Sequence, residues 1–278
     1  MTTLGTPVSL GRRTRTGRLE LEFGVRHGQT ALLRDLQKAP LMVVRPFRLP
    51  CGTLMVFIVN PTGGVLGGDH SEIHVEAGAG TRVLILTQSA TRVQPSPGGE
   101  WATQELHFHV GVGARLEYYP ERTLPFAGSR FRQHLRADLG AGAEFGLLET
   151  LASGRVQMGE RLAWADYRSE VSVYAAQERV YLDRQHFRPG PHSRAPGVLG
   201  GNDYFASGVW VAGDSAAGRP AAESPTTAPG WASGLSAGGA VWARGVAATG
   251  PALDHAARQL REQVRHDLFG AAPLVLRR

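Results

Sequence analysis

The chain has 278 residues, 42% of them hydrophobic, a formal net charge of +6, and a turn-rich composition with Gly 36 and Pro 17. That is enough for one large all-β domain or two ordinary ones, and it points to many short strands rather than many helices. It excludes an intrachain disulfide and a cysteine-built zinc site, since Cys51 is the only cysteine, and it excludes a membrane helix, since no stretch approaches the roughly 20 apolar residues one needs.

Lys38 is the only lysine, so arginine carries nearly all the positive charge. A guanidinium fork favours acidic partners, although coding bias would leave the same arginines on ordinary solvated faces. No basic run interleaved with aromatics marks a nucleic-acid-binding module. The N-terminus has arginines but no apolar stretch of a secretory signal, and a lone cysteine suits a reducing, cytoplasmic compartment.

In chain order, residues 1–17 are expected to be disordered and 18–278 to form a single β domain. Residues 18–27 alternate, with Leu19, Leu21, Phe23 and Val25 on one face, as a half-buried strand does. Residues 30–37 return it. A break at Ala39-Pro40 and an edge or bulge at Pro46 follow. The organising block is residues 60–94. After the strand MVFIVN it makes a turn with Gly63, Gly64, Gly67 and Gly68, and Asp69 hands over to the next strand. HSEIHVEAG then alternates, and TRVLILTQ is apolar and β-branched, hence buried.

An echo of this block recurs. Residues 80–84 resemble 113–117 and then 142–146, spaced 33 and then 29 residues apart, and each is a Gly/Ala turn leading into an apolar strand. An alternating strand precedes each turn. A repeat of strands without helices predicts stacked β-coils, a mainly β, solenoid-like architecture; a β-sandwich of hairpins is the alternative. Residues 159–180 continue as strands, 181–196 are rich in Arg, His and Pro, and 204–212 read as a strand. Residues 213–240 are Gly/Ala/Ser-rich and read as a mobile loop, followed by a last strand over 240–248. The spacing of Leu253, Ala256, Ala257, Leu260, Val264 and Leu268 predicts a helix over 252–269, stopped by Gly270.

Several chemistries are missing. No Gly-Lys pair exists for a Walker loop, no GxGxxG opens a helix, and no HExxH occurs. The GxSxG match at residues 234–238 lies in the low-complexity stretch, without the strand and helix a nucleophile elbow needs. On a strand, His70, Glu72 and His74 share one face, as His107 and His109 do one coil later. Such a set could hold nickel, copper or zinc loosely, but a polar, solvent-facing strand is the plainer reading. Asp69, Glu121 and Glu149 are acids beside Gly- or Pro-rich turns. Asp69 with Glu149 could serve a carbohydrate-active enzyme on a β-solenoid, or the acids could cap turns.

The segment NPTGGVLGGD (60–69) is similar to a Pro-x-Gly-Gly-x-x-x-Gly-Asp signature. LTQSATRVQPS (86–96), ARLEYYPERTLPFAGSR (114–130), LLETLASGR (147–155) with Gly159-Glu160, and the closing helix with its LFG follow in order. On these motifs the chain resembles the UreD (UreH) family of urease accessory proteins. The resemblance implies a non-enzymatic maturation factor that binds the urease apoprotein with UreF and the GTPase UreG and assists nickel insertion. It also implies a mostly β, solenoid-like fold with about two α-helices that dock against UreF. It implies no tightly bound cofactor, only nickel in transit, on a path for which Asp69 and Glu149 are the candidates. His70 and His74 depart from the family pattern and are weaker candidates.

Overall fold

The computed structural model describes residues 14–196, 198–213 and 229–274. Two sheets face each other. One runs, in spatial order, β15 (Glu178–Phe187), β14 (Asp166–Ala175), β12 (Arg130–Leu139), β9 (Ala102–Val110), β6 (His70–Ala77), β1 (Thr16–Arg26) and β2 (Gln29–Lys38). The other runs β17 (Trp231–Leu235), β18 (Val241–Ala247), β16 (Tyr204–Val211), β13 (Glu144–Ala152), β10 (Arg115–Tyr119), β7 (Arg82–Thr87), β5 (Leu54–Val59) and β3 (Met42–Val43). The short β4 (Phe47–Arg48), β8 (Thr91–Val93) and β11 (Thr123–Pro125) lie beside the second sheet.

From β5 to β14 the long strands alternate between the two sheets, and like strands of successive coils pair in parallel. This is a β-solenoid-like stack of about four turns. The repeat seen in the sequence is the register itself: Arg115 pairs with Arg82 on one side and with Glu144 on the other. Antiparallel strands close both ends, β2 on β1 and β15 on β14.

The alternating strands lay one apolar row each into the space between the sheets. Leu19, Ile73, Leu106, Leu135 and Val171 are cross-strand neighbours and are buried there against Val56, Ile85, Leu116 and Leu147 of the facing sheet. The apolar β7 is buried on both faces, because a second core lies behind its sheet, under the helix. Each coil turns on a glycine in left-handed backbone: Gly80, Gly113 and Gly142 have φ of 70°, 61° and 63°. Neighbouring corners also touch. A Cβ added at Gly111 would meet the Ala79 amide nitrogen at 2.8 Å and the Ala77 carbonyl oxygen at 3.0 Å, both backbone atoms that cannot step aside. Gly111→Ala is therefore expected to lower stability by about 1–3 kcal/mol, read as a shifted urea midpoint with the strand signal intact.

Three expectations need correction. Among the described residues there is one α-helix, α1 (Gly250–Asp267), and two short 3-10 turns, not about two α-helices. No second stretch of the described residues forms one; the turn Pro191–Arg194 starts on proline and buries only Ser193. The stretch expected to be disordered reaches too far, since Thr16 opens β1 and Arg15 is held by Asp69; residues 1–13 lie outside the described residues. The expected loop 213–240 contains β17, while residues 214–228 lie outside the described ones. That strand forms from small residues because tryptophans cover its one glycine and a glycine of its partner β18. Trp231 lies across from Gly245 and Trp242 across from Gly234, ring on bare backbone in both cases. Helix α1 starts two residues before the expected 252, where Thr249 caps it and Pro251 fits the first turn.

Candidate functional site

Asp69 stands at the head of β6, 5% exposed, inside the turn that the glycines make. Its amide donates to the Leu66 carbonyl at 2.9 Å and its carboxylate accepts the Leu66 amide at 2.9 Å, closing the turn from both sides. The same carboxylate takes the Arg15 amide at 3.0 Å and the Arg15 Nε at 3.1 Å. Burial works to raise its pKa, but the hydrogen bonds from the Arg15 side chain and from the Leu66 and Arg15 amides outweigh it and hold the carboxyl below the usual range. The stability this contributes is present above the ordinary carboxylate pKa and is lost as pH falls through the lower folded value. Asp69→Asn should cost about 2 kcal/mol at neutral pH and less as the pH falls below about 4, measured by urea titrations across that range.

His70, Glu72 and His74 do share a face, the outer one of their sheet, as expected. His70 bonds Thr103 at 2.7 Å and Glu72 at 3.2 Å, and the His74 ring stacks on His107 with centroids 5.5 Å apart. Burial, then the neighbouring His74, holds the His107 imidazole below its ordinary pKa. Among the described residues, no group of three or more His, Cys, Asp or Glu side chains is arranged to hold a metal ion.

The inward faces carry a different pattern. On the first sheet Ser71, Gln104, Gln133, Ser169 and Gln185 are cross-strand neighbours in a single line, one residue pair away from the apolar row described above. Because the strands lie across the stack, this line runs along the solenoid axis. Glu149 of β13 faces it from the second sheet, next to Ser207 of β16, which pairs in turn with Arg244 of β18. The two sides are bonded. Gln133 Nε2 donates to Glu149 Oε1, Ser207 Oγ donates to Asp183 at 3.0 Å, Gln185 Nε2 donates to Asp183 at 2.8 Å, and Arg244 closes on the same carboxylate. A cavity of about 380 Å³ enters from the loops at residues 60–64 and 88–92, with Ser71, Gln104 and Tyr118 at its inner wall.

Glu149 keeps part of its residue surface, but its carboxyl sits deep between the sheets. Burial pushes its pKa up to about 7; the bond from Gln133 works against the rise and the Asp183 charge adds to it. A carboxyl poised there exchanges its proton at neutral pH. Burial and then the Glu149 charge also push the Tyr118 phenol up, so it stays a neutral hydroxyl.

The structure therefore separates the two acids singled out in the sequence. Asp69 is consumed by Arg15 and its turn, and Glu149 lies inside on the opposite sheet, so they form no open groove with two free carboxyls. Gln133, Asp183, Ser207 and Arg244 escaped the sequence reading. A signal for the first existed: Gln104, Gln133 and Ser169 occupy the same inward phase of successive repeats, between apolar residues on either side.

A two-sheeted parallel coil, with a polar line through its apolar interior and a helix on its outside, defines a β-solenoid-like protein whose distinctive chemistry lies along its axis. The profile described as UreD urease accessory protein matches residues 15–278. Urease accessory protein UreD of Herpetosiphon aurantiacus is 36% identical over 193 residues, covering 69% of this chain and 67% of the relative. That of Halalkalibacterium halodurans is 36% identical over 197 residues, covering 70% and 72%, and UreD 1 of a Synechococcus strain is 37% identical over 196 residues, covering 69% and 72%. The chain belongs to the UreD family of urease accessory proteins.

Proposed function

We propose that this chain is a non-enzymatic urease maturation factor, that it binds the urease apoprotein together with UreF-like and UreG-like proteins, and that its polar line is a path for nickel on the way to the urease active site. The observation that carries the reading is the line itself. Holding five polar side chains in register along an apolar core, with Ser71, Gln133 and Ser169 buried, costs stability that apolar residues would not, so the fold keeps them for something other than holding together. Nickel is cargo here, not a resident group, and the donors suit cargo. Carboxylate, amide and hydroxyl oxygens hold nickel more weakly than imidazole or thiolate does, and weak, repeated sites let an ion enter and leave. Two acids are bonded to the line, Asp183 through Gln185 and Glu149 through Gln133; Arg244 already closes on Asp183, so it is at Glu149 that an arriving cation displaces a proton at neutral pH. Asp69, with its oxygens already taken, shapes the mouth rather than lining the path; His70 and His74 lie on the outer face, away from it.

The work takes place in the cytoplasm, with the apoprotein; no described helix is long and apolar enough to cross a membrane. The test is urease activation in cells carrying the urease subunits and the remaining accessory proteins, with and without this chain. Active urease and co-purification of the chain with its partners are expected only when it is present. Equal activity without it would reject the role.

A further inference from the structure

Trp101 sits just before β9, its carbonyl accepting the Gly68 amide at 3.0 Å, so the glycine turn that precedes Asp69 also fixes this indole. Three guanidinium groups gather over its ring: Arg168 at 4.8 Å, Arg132 at 5.1 Å and Arg130 at 5.9 Å from the centroid. Arg132 and Arg168 are direct neighbours on adjacent strands, facing out. Like charges in such a pair destabilise a sheet; the indole offsets part of that by cation–π attraction.

The negative charge nearby is already engaged. Asp166, 1% exposed, accepts from His186 and Arg188 at 2.9 Å each and from Arg168 at 3.3 Å. Arg132 has no carboxylate as a cross-strand neighbour: Thr103 lies on one side of it and Arg168 on the other. The patch therefore has an excess of forked cations around one partly buried aromatic, the composition of an interaction hot spot. We propose that Trp101 with Arg130, Arg132 and Arg168 is a docking surface for an acidic polypeptide segment of a partner protein. Carboxylates match the guanidinium fork and relieve the repulsion between Arg132 and Arg168. A nucleic acid fits less well, because a single indole offers no run of stacking platforms. The surface lies on the outer face, and its reading stands or falls independently of the nickel path.

The test uses the full chain and a fluorescein-labelled deca-glutamate peptide, followed by anisotropy across a salt series. Arg132→Ser with Arg168→Ser is expected to weaken binding by at least about tenfold, and Arg184→Ser, elsewhere on the same face, to leave it unchanged. The double variant also gives up the Arg168 bonds to Asp166, so a thermal melt must show it folded at the assay temperature, and Arg132→Ser alone, which leaves those bonds in place, is expected to weaken binding in the same direction. Equal binding by the double variant would overturn the proposal. So would displacement of the peptide by inorganic phosphate at equal concentration, or equal affinity for a single-stranded oligonucleotide, either of which marks a general anion surface.

Discussion

Arg265→Ala is expected to cost about 3–5 kcal/mol of stability, the range for removing one partner of a buried ion pair. Arg265 of α1 is 1% exposed and Glu117 of β10 is fully buried, and the guanidinium closes directly on the carboxylate. Each partner has further bonds that fix it. Arg265 Nε donates to the Ala272 carbonyl at 3.1 Å; Glu117 accepts the Tyr119 hydroxyl at 3.1 Å, which in turn accepts Trp210 Nε1 at 3.2 Å. A second buried pair runs beside it, with Arg115 on Glu144 at 2.6 Å and on the Phe269 carbonyl at 2.8 Å. Together they tie the helix and the segment after it to the outside of the second sheet. Truncating Arg265 strands the Glu117 charge in a core that includes Leu253, Leu260 and Val264. The double replacement Glu117→Leu with Arg265→Met should recover most of the loss, because two apolar groups leave no charge behind. Urea unfolding followed by circular dichroism measures both. A loss below about 1 kcal/mol for Arg265→Ala would mean that the carboxylate reaches water.

Glu149→Gln is expected to stabilise the fold at alkaline pH and to change little at acid pH. A carboxyl whose folded pKa is raised to about 7 binds its proton more tightly in the native state than in the unfolded chain. The native state therefore loses stability as pH rises from the ordinary carboxylate value through 7, by up to about 3 kcal/mol in total. Glutamine keeps the shape and the bond to Gln133 and carries no charge, so it removes that slope. Urea midpoints at pH 5 and pH 8.5 decide it. Equal slopes for parent and variant would show that Glu149 titrates as an exposed acid. The same substitution should slow nickel delivery, so stability and function are expected to move in opposite directions, as they do where a fold carries a functional charge at its own expense.

Much of the fold was legible because its information is local. The alternation in residues 18–27 and 70–77 reads directly as one buried and one wet face, and the spacing of the Gly/Ala turns is the ladder register. β15 was harder to see. It is an edge strand whose outward positions carry Arg184 and His186, so its composition read as an irregular basic stretch. β17 hid behind its small residues, because the tryptophans that cover the glycines come from the neighbouring strand and from its own first position. The site was less legible for a related reason. Glu149 could be picked out beside its glycine turn, but its partners Gln133, Asp183 and Ser207 come from other coils and from the opposite sheet. Glu117 and Arg265 are 148 positions apart, a separation that no periodicity reports. Asp69 drew attention as an acid at the end of a glycine-rich turn, and only the arrival of Arg15 from just before β1 shows why it is needed there.

The proposed nickel path through the axis is most directly tested by the metal content of urease itself. Urease would be purified from cells that express its subunits and the other accessory proteins with either the parent chain or Glu149→Leu, and its nickel quantified by mass spectrometry. Severalfold less nickel per active site is expected with the variant, while the variant chain still co-purifies with its partners. Full nickel loading with Glu149→Leu in an intact complex would contradict a route through the polar line.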